Sequence, residues 1–170
     1  IVGTQINFKL NDATGLLPLF ALNEDGYKTI IKLSSLSFLK NDELSDPHLD
    51  LNELLSNNEG VAIFSGTING LIGQLFNKGK FSEINEIFSK LKANYGDRFY
   101  IEIQRHNDEN EIAFEKFNLS KSLELEIPII ATNEVFYIDK NMHEAHDALI
   151  CIKNKTYVNE ENRLKLSNQH

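Results

Sequence analysis

The sequence contains one short cluster of side chains of the kind that bind metal ions. His143 and His146 are three residues apart, with Glu144 between them and Asp147 next in the chain. If the segment is helical, this spacing puts both imidazoles on one helix face. Imidazole and carboxylate groups are common ligands of zinc. Histidine pairs at this spacing also occur often without metal, so we favour a surface helix with one packed or capping histidine.

Two further patterns resemble binding sites but have simpler explanations. Residues 66–73 read GTINGLIG, without the Lys-Ser/Thr pair of a phosphate-binding loop or the glycine spacing of a dinucleotide fingerprint. A tight turn from a strand into a helix is the better interpretation. An acidic patch, made of Asp42, Glu43, Asp46 and Asp50, is typical of a solvated loop.

The composition predicts one soluble globular domain over residues 1–170. The chain is 41% hydrophobic and 25% charged, and no apolar run approaches the roughly 20 residues that span a bilayer. Because it starts at Ile1 rather than Met, we expect an excerpt of a longer chain. Cys151, the single cysteine, cannot form an internal disulfide, and its apolar surroundings predict a buried thiol in a reducing compartment, the cytoplasm. We assign it no catalytic role.

The net charge of −8 argues against nucleic-acid binding by this part of the protein. Affinity for a phosphate backbone depends largely on clustered Lys and Arg side chains. If a longer parent protein binds DNA, we expect other parts of it to do so.

Short apolar runs alternate with amphipathic segments, which predicts an α/β architecture with mainly parallel strands. Strands are predicted at residues 60–65, 99–103 and 129–132. Helices are predicted at residues 25–36, 81–91, 108–125 and 141–152, with a short helix near Leu51. Residues 2–8 and 17–22 are predicted to pair as a hairpin across the polar segment 11–15.

The helical patterns also predict caps and buried faces. Asn23 or Asp25 is expected to cap the first helix. The core contacts expected in the two last helices are Ile112, Phe117, Leu119, Leu123 and Leu125, and then Ala145, Ala148, Leu149 and Ile152.

Four phrases occur in an order and spacing typical of one family. They are GYKTIIKLSSLSF at 26–38, EGVAIFSGTINGLIGQL at 59–75, FYIEIQRH at 99–106 and IPIIATNEVFYIDKNMHEAHDALICI at 127–152. Together they resemble the middle and end of the PHP (polymerase and histidinol phosphatase) domain of bacterial replicative DNA polymerase III alpha subunits. The resemblance implies a partial, distorted β/α barrel of the PHP type.

Active PHP domains hold a metal cluster that activates water for phosphoester hydrolysis. The resemblance matches the family's metal-ligand positions to residues that mostly cannot bind a metal ion in the same way. An amide at Gln5 replaces a carboxylate, Leu16 (or its neighbour Leu17) replaces a histidine, and Thr67 replaces a cysteine. Residues 133–136 match the family's Asn-Asp-x-His motif. There Glu134 keeps a carboxylate, whereas Phe136 replaces the histidine. The family's first His-x-His motif and its Asp-His pair would lie upstream of Ile1.

His106 is the better histidine candidate, since it follows a predicted strand where PHP sites form. So few matched ligands remain that a hydrogen-bonding role is favoured for it. We therefore expect no catalytic residue, no metal site and no bound cofactor in this part of the chain, with Glu134 and His106 as the only weak metal-ligand candidates.

Three functions remain open at this point. The favoured one is a scaffold in a replicative DNA polymerase that uses Mg²⁺ and deoxynucleoside triphosphates; the resemblance implies that a separate proofreading exonuclease subunit docks on this domain, alongside other replicase subunits. The second is an active PHP phosphoesterase or 3′–5′ exonuclease that uses Glu134, His106 and upstream histidines. The third is an unrelated α/β domain that binds a small molecule at its strand ends.

Overall fold

The structure, a computed structural model, describes residues 1–42, 45–107 and 109–168. Its strands are β1 (Val2–Leu10), β2 (Ala13–Ala21), β3 (Leu49–Asp50), β4 (Val61–Phe64), β5 (Phe99–Ile103) and β6 (Ile129–Ala131). Its helices are α1 (Glu24–Leu39), α2 (Leu51–Ser56), α3 (Leu71–Asn77), α4 (Phe81–Tyr95), α5 (Glu111–Leu125) and α6 (His143–Asn154). Glu43 of the predicted acidic patch and Asp108, the predicted start of a helix, lie outside the described residues.

The first two strands form the predicted hairpin. They pair antiparallel from Val2 opposite Ala21 to Leu10 opposite Ala13. Because the pairing continues to Leu10 and Ala13, only Asn11 and Asp12 form the turn, which is shorter than the polar segment 11–15. Asn11 begins this turn with a φ of 53°, a conformation that asparagine tolerates better than most residues.

In the described part of the chain, the strands form one sheet in the order β3-β1-β2-β4-β5-β6. β4, β5 and β6 run parallel, with Ile63 beside Phe99 and Ile101 beside Ile129, as predicted. β3 also runs parallel to β1, whereas β2 runs antiparallel to β1 and β4. Parallel pairings therefore outnumber antiparallel ones, which confirms the α/β class with mainly parallel strands.

The hydrophobic core lies between the sheet and the helices. Successive side chains on a strand point to opposite faces, so alternate residues of β1, β2, β4 and β5 enter it. The strands contribute Phe8, Leu17, Leu19, Ile63, Phe99 and Ile101, and the helices contribute Leu33, Leu54, Leu71, Leu75, Phe88 and Leu91. This packing holds β2, β4 and β5 in place, and their ends carry the candidate site.

α1 meets the start of β4 through two glycines. A Cβ atom on Gly26 would lie 1.9 Å from the carbonyl oxygen of Gly60, so the backbones approach as closely as only glycine permits. Gly60 itself has a φ of 65°. Asn23 caps α1 by accepting the backbone N–H of Gly26 at 2.9 Å, which decides between the two predicted caps, since Asp25 lies inside the helix.

The predicted buried face of α5 is wrong at three of its five residues. Ile112 and Leu123 are 69% and 84% exposed, and Leu119 is also exposed. The helix instead buries Phe114, Asn118 and Ser122, which recur every four residues. Asn118 Nδ2 donates to the Glu102 carbonyl oxygen at 3.3 Å, and the Ser122 hydroxyl donates to the Ile127 carbonyl oxygen at 2.7 Å. Polar contacts to backbone therefore orient α5; Phe117 and Leu125 are partly buried against the core.

The predicted face of α6 is wrong as well. Ala145, Leu149 and Ile152 are exposed, and Cys151 is the buried residue of the helix. Its buried thiol agrees with the sequence prediction. No helix in the described ranges is long and apolar enough to cross a membrane.

Candidate functional site

A pocket of about 450 Å³ opens at the carboxyl ends of β4, β5 and β6. Its walls come from the segments that follow these strands and from the adjacent part of the hairpin. Ligands of open α/β sheets bind at this edge, where the loops after parallel strands converge. The lining includes Gln5, Leu16, Phe20, Thr67, Glu102 and Glu134.

The hairpin supplies one wall through the alternation of its side chains. Leu16, Pro18 and Phe20 line the pocket, while the intervening Leu17 and Leu19 are fully buried in the core. Gln5 joins them because it pairs with Pro18 across the hairpin. Between residues 16 and 20, the even-numbered residues of β2 therefore belong to the pocket and the odd-numbered ones to the core.

The pocket brings together four of the five positions that the sequence matched to metal ligands. Gln5, Leu16, Thr67 and Glu134 line it. Phe136 does not; its ring stacks on His146 with centroids 5.2 Å apart. The four side chains offer an amide, a branched alkyl group, a hydroxyl and one carboxylate.

Glu102 is the pocket residue that the sequence reasoning missed. It lies on β5, is 5% exposed, and borders the pocket together with Gln104 and Thr132. Its Oε1 accepts hydrogen bonds from the Thr132 hydroxyl and from Gln104 Nε2 at 3.3 Å. Among the described residues no close hydrogen bond reaches its Oε2, and the Gly66 backbone interacts more weakly with the same carboxyl. A glutamate inside the otherwise apolar strand FYIEI was the signal that could have identified it.

The electrostatics of the pocket are acidic. Among the described residues, its lining contains two carboxylates, Glu102 and Glu134, and no Lys, Arg or His side chain. Burial raises the pKa of the Glu102 carboxyl, and the nearby negative charge of Glu134 adds to this effect. Hydrogen bonds from Thr132, Gln104 and the Gly66 backbone oppose it. A phosphoester, itself anionic, would meet repulsion here.

His106 lies outside this lining and is buried, with 1% of its surface exposed. Its Nε2 lies 2.5 Å from Asn133 Oδ1 and accepts the backbone N–H of Glu134 at 3.3 Å. Its Nδ1 lies 3.5 Å from Glu111 Oε1, and Glu111 Oε2 accepts the backbone N–H groups of His106 and Asn107. His106 thus joins the segment after β5 to the segment that carries Glu134.

The histidine pair of α6 does not converge on one site. The ring nitrogen Nε2 of His143 lies 2.9 Å from the Leu166 carbonyl oxygen, whereas His146 stacks on Phe136. Asp147 forms a two-bond ion pair with Arg163, with N···O distances of 2.5 and 2.6 Å, which lowers the pKa of its carboxyl. Across residues 1–42, 45–107 and 109–168, no group of three or more His, Cys, Asp or Glu side chains is placed to hold a metal ion.

The glycine-rich segment forms the predicted turn. Gly66 follows β4 with a φ of 80°, and Gly70 immediately precedes α3. A Cβ atom on Gly70 would lie 2.8 Å from the Leu16 carbonyl oxygen, so this turn packs tightly against the hairpin wall of the pocket.

Comparison with known proteins identifies the family. Residues 1–106 match the PHP domain, and the chain belongs to the PHP domain family. A PHP domain is a distorted β/α barrel, and the open sheet seen here is consistent with part of one. Membership argues against the unrelated α/β domain considered above.

Three similar proteins carry the name DNA polymerase III subunit alpha. DNA polymerase III subunit alpha of Rickettsia prowazekii is 39% identical over 87% of this chain, that of Caulobacter vibrioides 32% over 91%, and that of Borreliella burgdorferi 33% over 88%. The matched regions are 12%, 14% and 13% of those relatives' lengths. This chain therefore spans about one eighth of the relatives it matches.

Proposed function

We propose that this chain is the PHP region of a DNA polymerase III alpha subunit, a cytoplasmic DNA-directed DNA polymerase that takes part in DNA replication. The similarity to three alpha subunits over 87–91% of the chain supports this proposal. The nucleotidyltransferase reaction, with its Mg²⁺ and deoxynucleoside triphosphates, belongs to the remainder of such a polymerase.

Within that polymerase, this region acts as a scaffold whose metal site has degenerated. The observation that supports the proposal is the pocket lining: Gln5, Leu16 and Thr67, which the sequence resemblance matches to metal-ligand positions of the family, lie together in one pocket. A carboxamide is a neutral ligand, and an alkyl group cannot coordinate at all. Replacing a single supporting group around a metal commonly costs 10–100-fold in affinity, so several lost ligands should cost much more.

Calorimetric titration with Zn²⁺ and Mn²⁺ tests the loss of the metal site. We expect no stoichiometric binding with a dissociation constant below about 1 μM. The full-length protein should be titrated as well, because the family's upstream motifs would then be present. Stoichiometric binding that disappears in Glu134→Ala or His106→Ala would contradict the proposal and favour an active PHP phosphoesterase.

A scaffold role requires that proofreading comes from another chain. We infer that a separate 3′–5′ exonuclease subunit docks on this region, together with other replicase subunits. Affinity purification of the full-length protein from its own cells should recover an exonuclease in a stoichiometric complex. Strong 3′–5′ exonuclease activity in the polymerase freed of that partner would overturn the inference.

A further inference from the structure

We propose that residues 157–167 form a strap that holds one wall of the pocket in place through α6. The wall is the segment 133–137, whose first three residues line the pocket. The strap follows α6 in the chain and returns to contact both α6 and the wall. This role concerns the shape of the pocket, so it goes beyond the proposed function and holds whatever the pocket binds.

The wall has little support from the sheet. Among the described residues, positions 133–138 form no backbone-to-backbone hydrogen bond. At the first end of the wall, the His106 ring contacts the Asn133 side chain and the backbone N–H of Glu134. Val135, the next residue, is 67% exposed. The second end of the wall must therefore be anchored elsewhere.

Two aromatic residues anchor that second end. The Phe136 ring stacks on His146 of α6 with centroids 5.2 Å apart, and the Tyr137 ring lies 5.8 Å from the same imidazole. Tyr137 is buried, and its hydroxyl donates to the Ser167 carbonyl oxygen of the strap at 3.2 Å. The wall therefore depends on the positions of both α6 and the strap.

α6 is not held by an apolar face. Cys151 is its one buried residue in the described chain, whereas Ala145, Leu149 and Ile152 are exposed. A helix of a globular protein normally packs through an apolar stripe. The position of α6 must therefore be fixed by other contacts.

The strap supplies these contacts. Arg163 donates to both carboxylate oxygens of Asp147 on α6, at 2.5 and 2.6 Å, and its side chain is 4% exposed. Arg163 also donates to the Val158 carbonyl oxygen, which folds the strap on itself. Towards the end of the strap, His143 Nε2 lies 2.9 Å from the Leu166 carbonyl oxygen. A two-bond pair between arginine and a carboxylate fixes orientation as well as distance.

The strap can be released without disturbing the core. Within the described chain, the main hydrophobic core ends in sequence at Ile127, so the wall, α6 and the strap lie outside it. Removing one partner of a buried ion pair leaves the other charge uncompensated. Loss of Arg163 or Asp147 should therefore free the strap and α6, and then the second end of the wall, while β4 and β5 stay in place.

Backbone ¹⁵N relaxation of the 170-residue chain tests the strap. In Arg163→Met we expect the order parameters of Phe136 and Tyr137 to fall from about 0.85, the rigid range, to below about 0.6. Those of Val61–Phe64 should stay near about 0.85, which separates local release from global unfolding. Arg105→Met is the control, because Arg105 also forms a two-bond pair, with Glu115, away from the strap and outside the pocket lining. It should leave the wall unchanged.

Cys151, the single cysteine, gives a second readout. It is buried in α6 and close enough to Arg163 to interact with it electrostatically. Its reaction with a chromogenic disulfide reagent therefore measures the opening of α6. Arg163→Met should speed this reaction at least about tenfold, and Arg105→Met should not. Loss of a neighbouring cation does not favour the thiolate, so a faster reaction reports exposure of the thiol.

Milder variants connect the ion pair to the wall. Arg163→Lys keeps the charge without the two-bond geometry and should give intermediate order parameters. Asp147→Asn should reproduce Arg163→Met, and the double variant should be no worse than either single one, because all three remove the same contact. Tyr137→Phe removes only the hydroxyl that reaches Ser167 and should loosen the wall partly. It keeps the test valid if the charge variants do not fold.

Several results would overturn the proposal. The wall would be held independently if the strap became mobile in Arg163→Met while Phe136 and Tyr137 kept their order parameters. Unchanged order in Tyr137→Phe, should the charge variants not fold, would have the same meaning. Equal loss of order in Val61–Phe64 would show global unfolding instead of release. Order parameters already below about 0.6 at Phe136 and Tyr137 in the unchanged protein would show that no strap holds this wall.

Discussion

At the scale of single residues, Glu102 combines deep burial with a position at the edge of the pocket. Burial raises the pKa of its carboxyl because a charged group is poorly solvated there. In the unfolded chain the same carboxyl ionises near its ordinary pKa, about 4.3. Stability linked to Glu102 is therefore fully present at low pH and decreases as the pH rises from the unfolded pKa to the folded one.

Replacing this carboxyl should remove that part of the pH dependence. In Glu102→Gln, the free energy of unfolding, measured in urea, should increase relative to the unchanged protein as the pH rises from about 4 to 7. Each unit by which the pKa is raised corresponds to about 1.4 kcal/mol. Glu115→Gln serves as a control of opposite sign, because Arg105 lowers the pKa of Glu115 and its stabilisation is lost as the pH falls. A constant difference between Glu102→Gln and the unchanged protein would contradict this explanation.

His106 should matter for stability. Truncation in His106→Ala leaves Glu111 and Asn133 without their buried partner, and we expect a loss of about 2–4 kcal/mol in the free energy of unfolding. The backbone amide resonance of Glu134 should shift as well, since that N–H donates to the imidazole. His48→Ala, on the surface loop, is the control and should change stability by about 0.5 kcal/mol or less. Equal effects of the two variants would show that the contacts of His106 contribute little.

At the scale of elements, the sequence predicted strands better than helix faces. β4, β5 and β6 were predicted because short apolar runs bounded by polar residues leave little choice of structure. The faces of α5 and α6 were not, because most of their leucines and isoleucines are exposed. In α5, Asn118 and Ser122 instead form hydrogen bonds to the backbone of β5 and of the segment before β6. Hydropathy ranks a side chain by its preference for an apolar environment over water, and it carries no information about a specific hydrogen-bond partner.

The same dependence on contacts between distant elements limits how much of the site could be predicted from the sequence. Motif matching placed Gln5, Leu16, Thr67 and Glu134 at one site, and the structure brings them to one pocket. It missed Glu102, whose importance comes from burial beside the pocket. It also matched Phe136, which stacks on α6 instead. Burial and stacking depend on elements distant in sequence, so the local pattern does not reveal them.

The orientation of α5 can be measured directly. Phe114→Ala should cost about 3–5 kcal/mol of unfolding free energy, because a buried aromatic ring is lost from the core. Leu123→Ala should change it by about 0.5 kcal/mol or less, because that side chain is exposed. The two residues lie on one helix, so they share its propensity and length. A larger loss for Leu123→Ala would restore the face that the sequence pattern predicted.

At the scale of the whole molecule, the net charge of −8 and the acidic pocket point in the same direction. Neither provides the clustered positive charge that attracts a phosphate backbone. Under the proposed function, other parts of the polymerase bind DNA, so this region needs no such charge.

Binding of DNA by this chain alone should therefore be very weak. At about 150 mM salt, fluorescence anisotropy with labelled single- and double-stranded oligonucleotides should give dissociation constants above about 100 μM, weaker than typical non-specific DNA binding. The full-length protein is the positive control, since it carries the parts expected to bind DNA. Micromolar binding by the isolated chain that weakens steeply with salt would show that this region contacts the phosphate backbone.

The two-residue turn fixes the register of the hairpin, and this register determines which mutations leave the core intact. Because side chains alternate along β2, substitutions at Leu16 or Phe20 alter the pocket wall without touching Leu17 or Leu19 in the core. Insertion of one residue that slipped the register of β2 would send the core leucines to the pocket and the pocket residues to the core. Point mutations can therefore change the pocket wall one residue at a time, whereas a length change within this hairpin would disrupt the core.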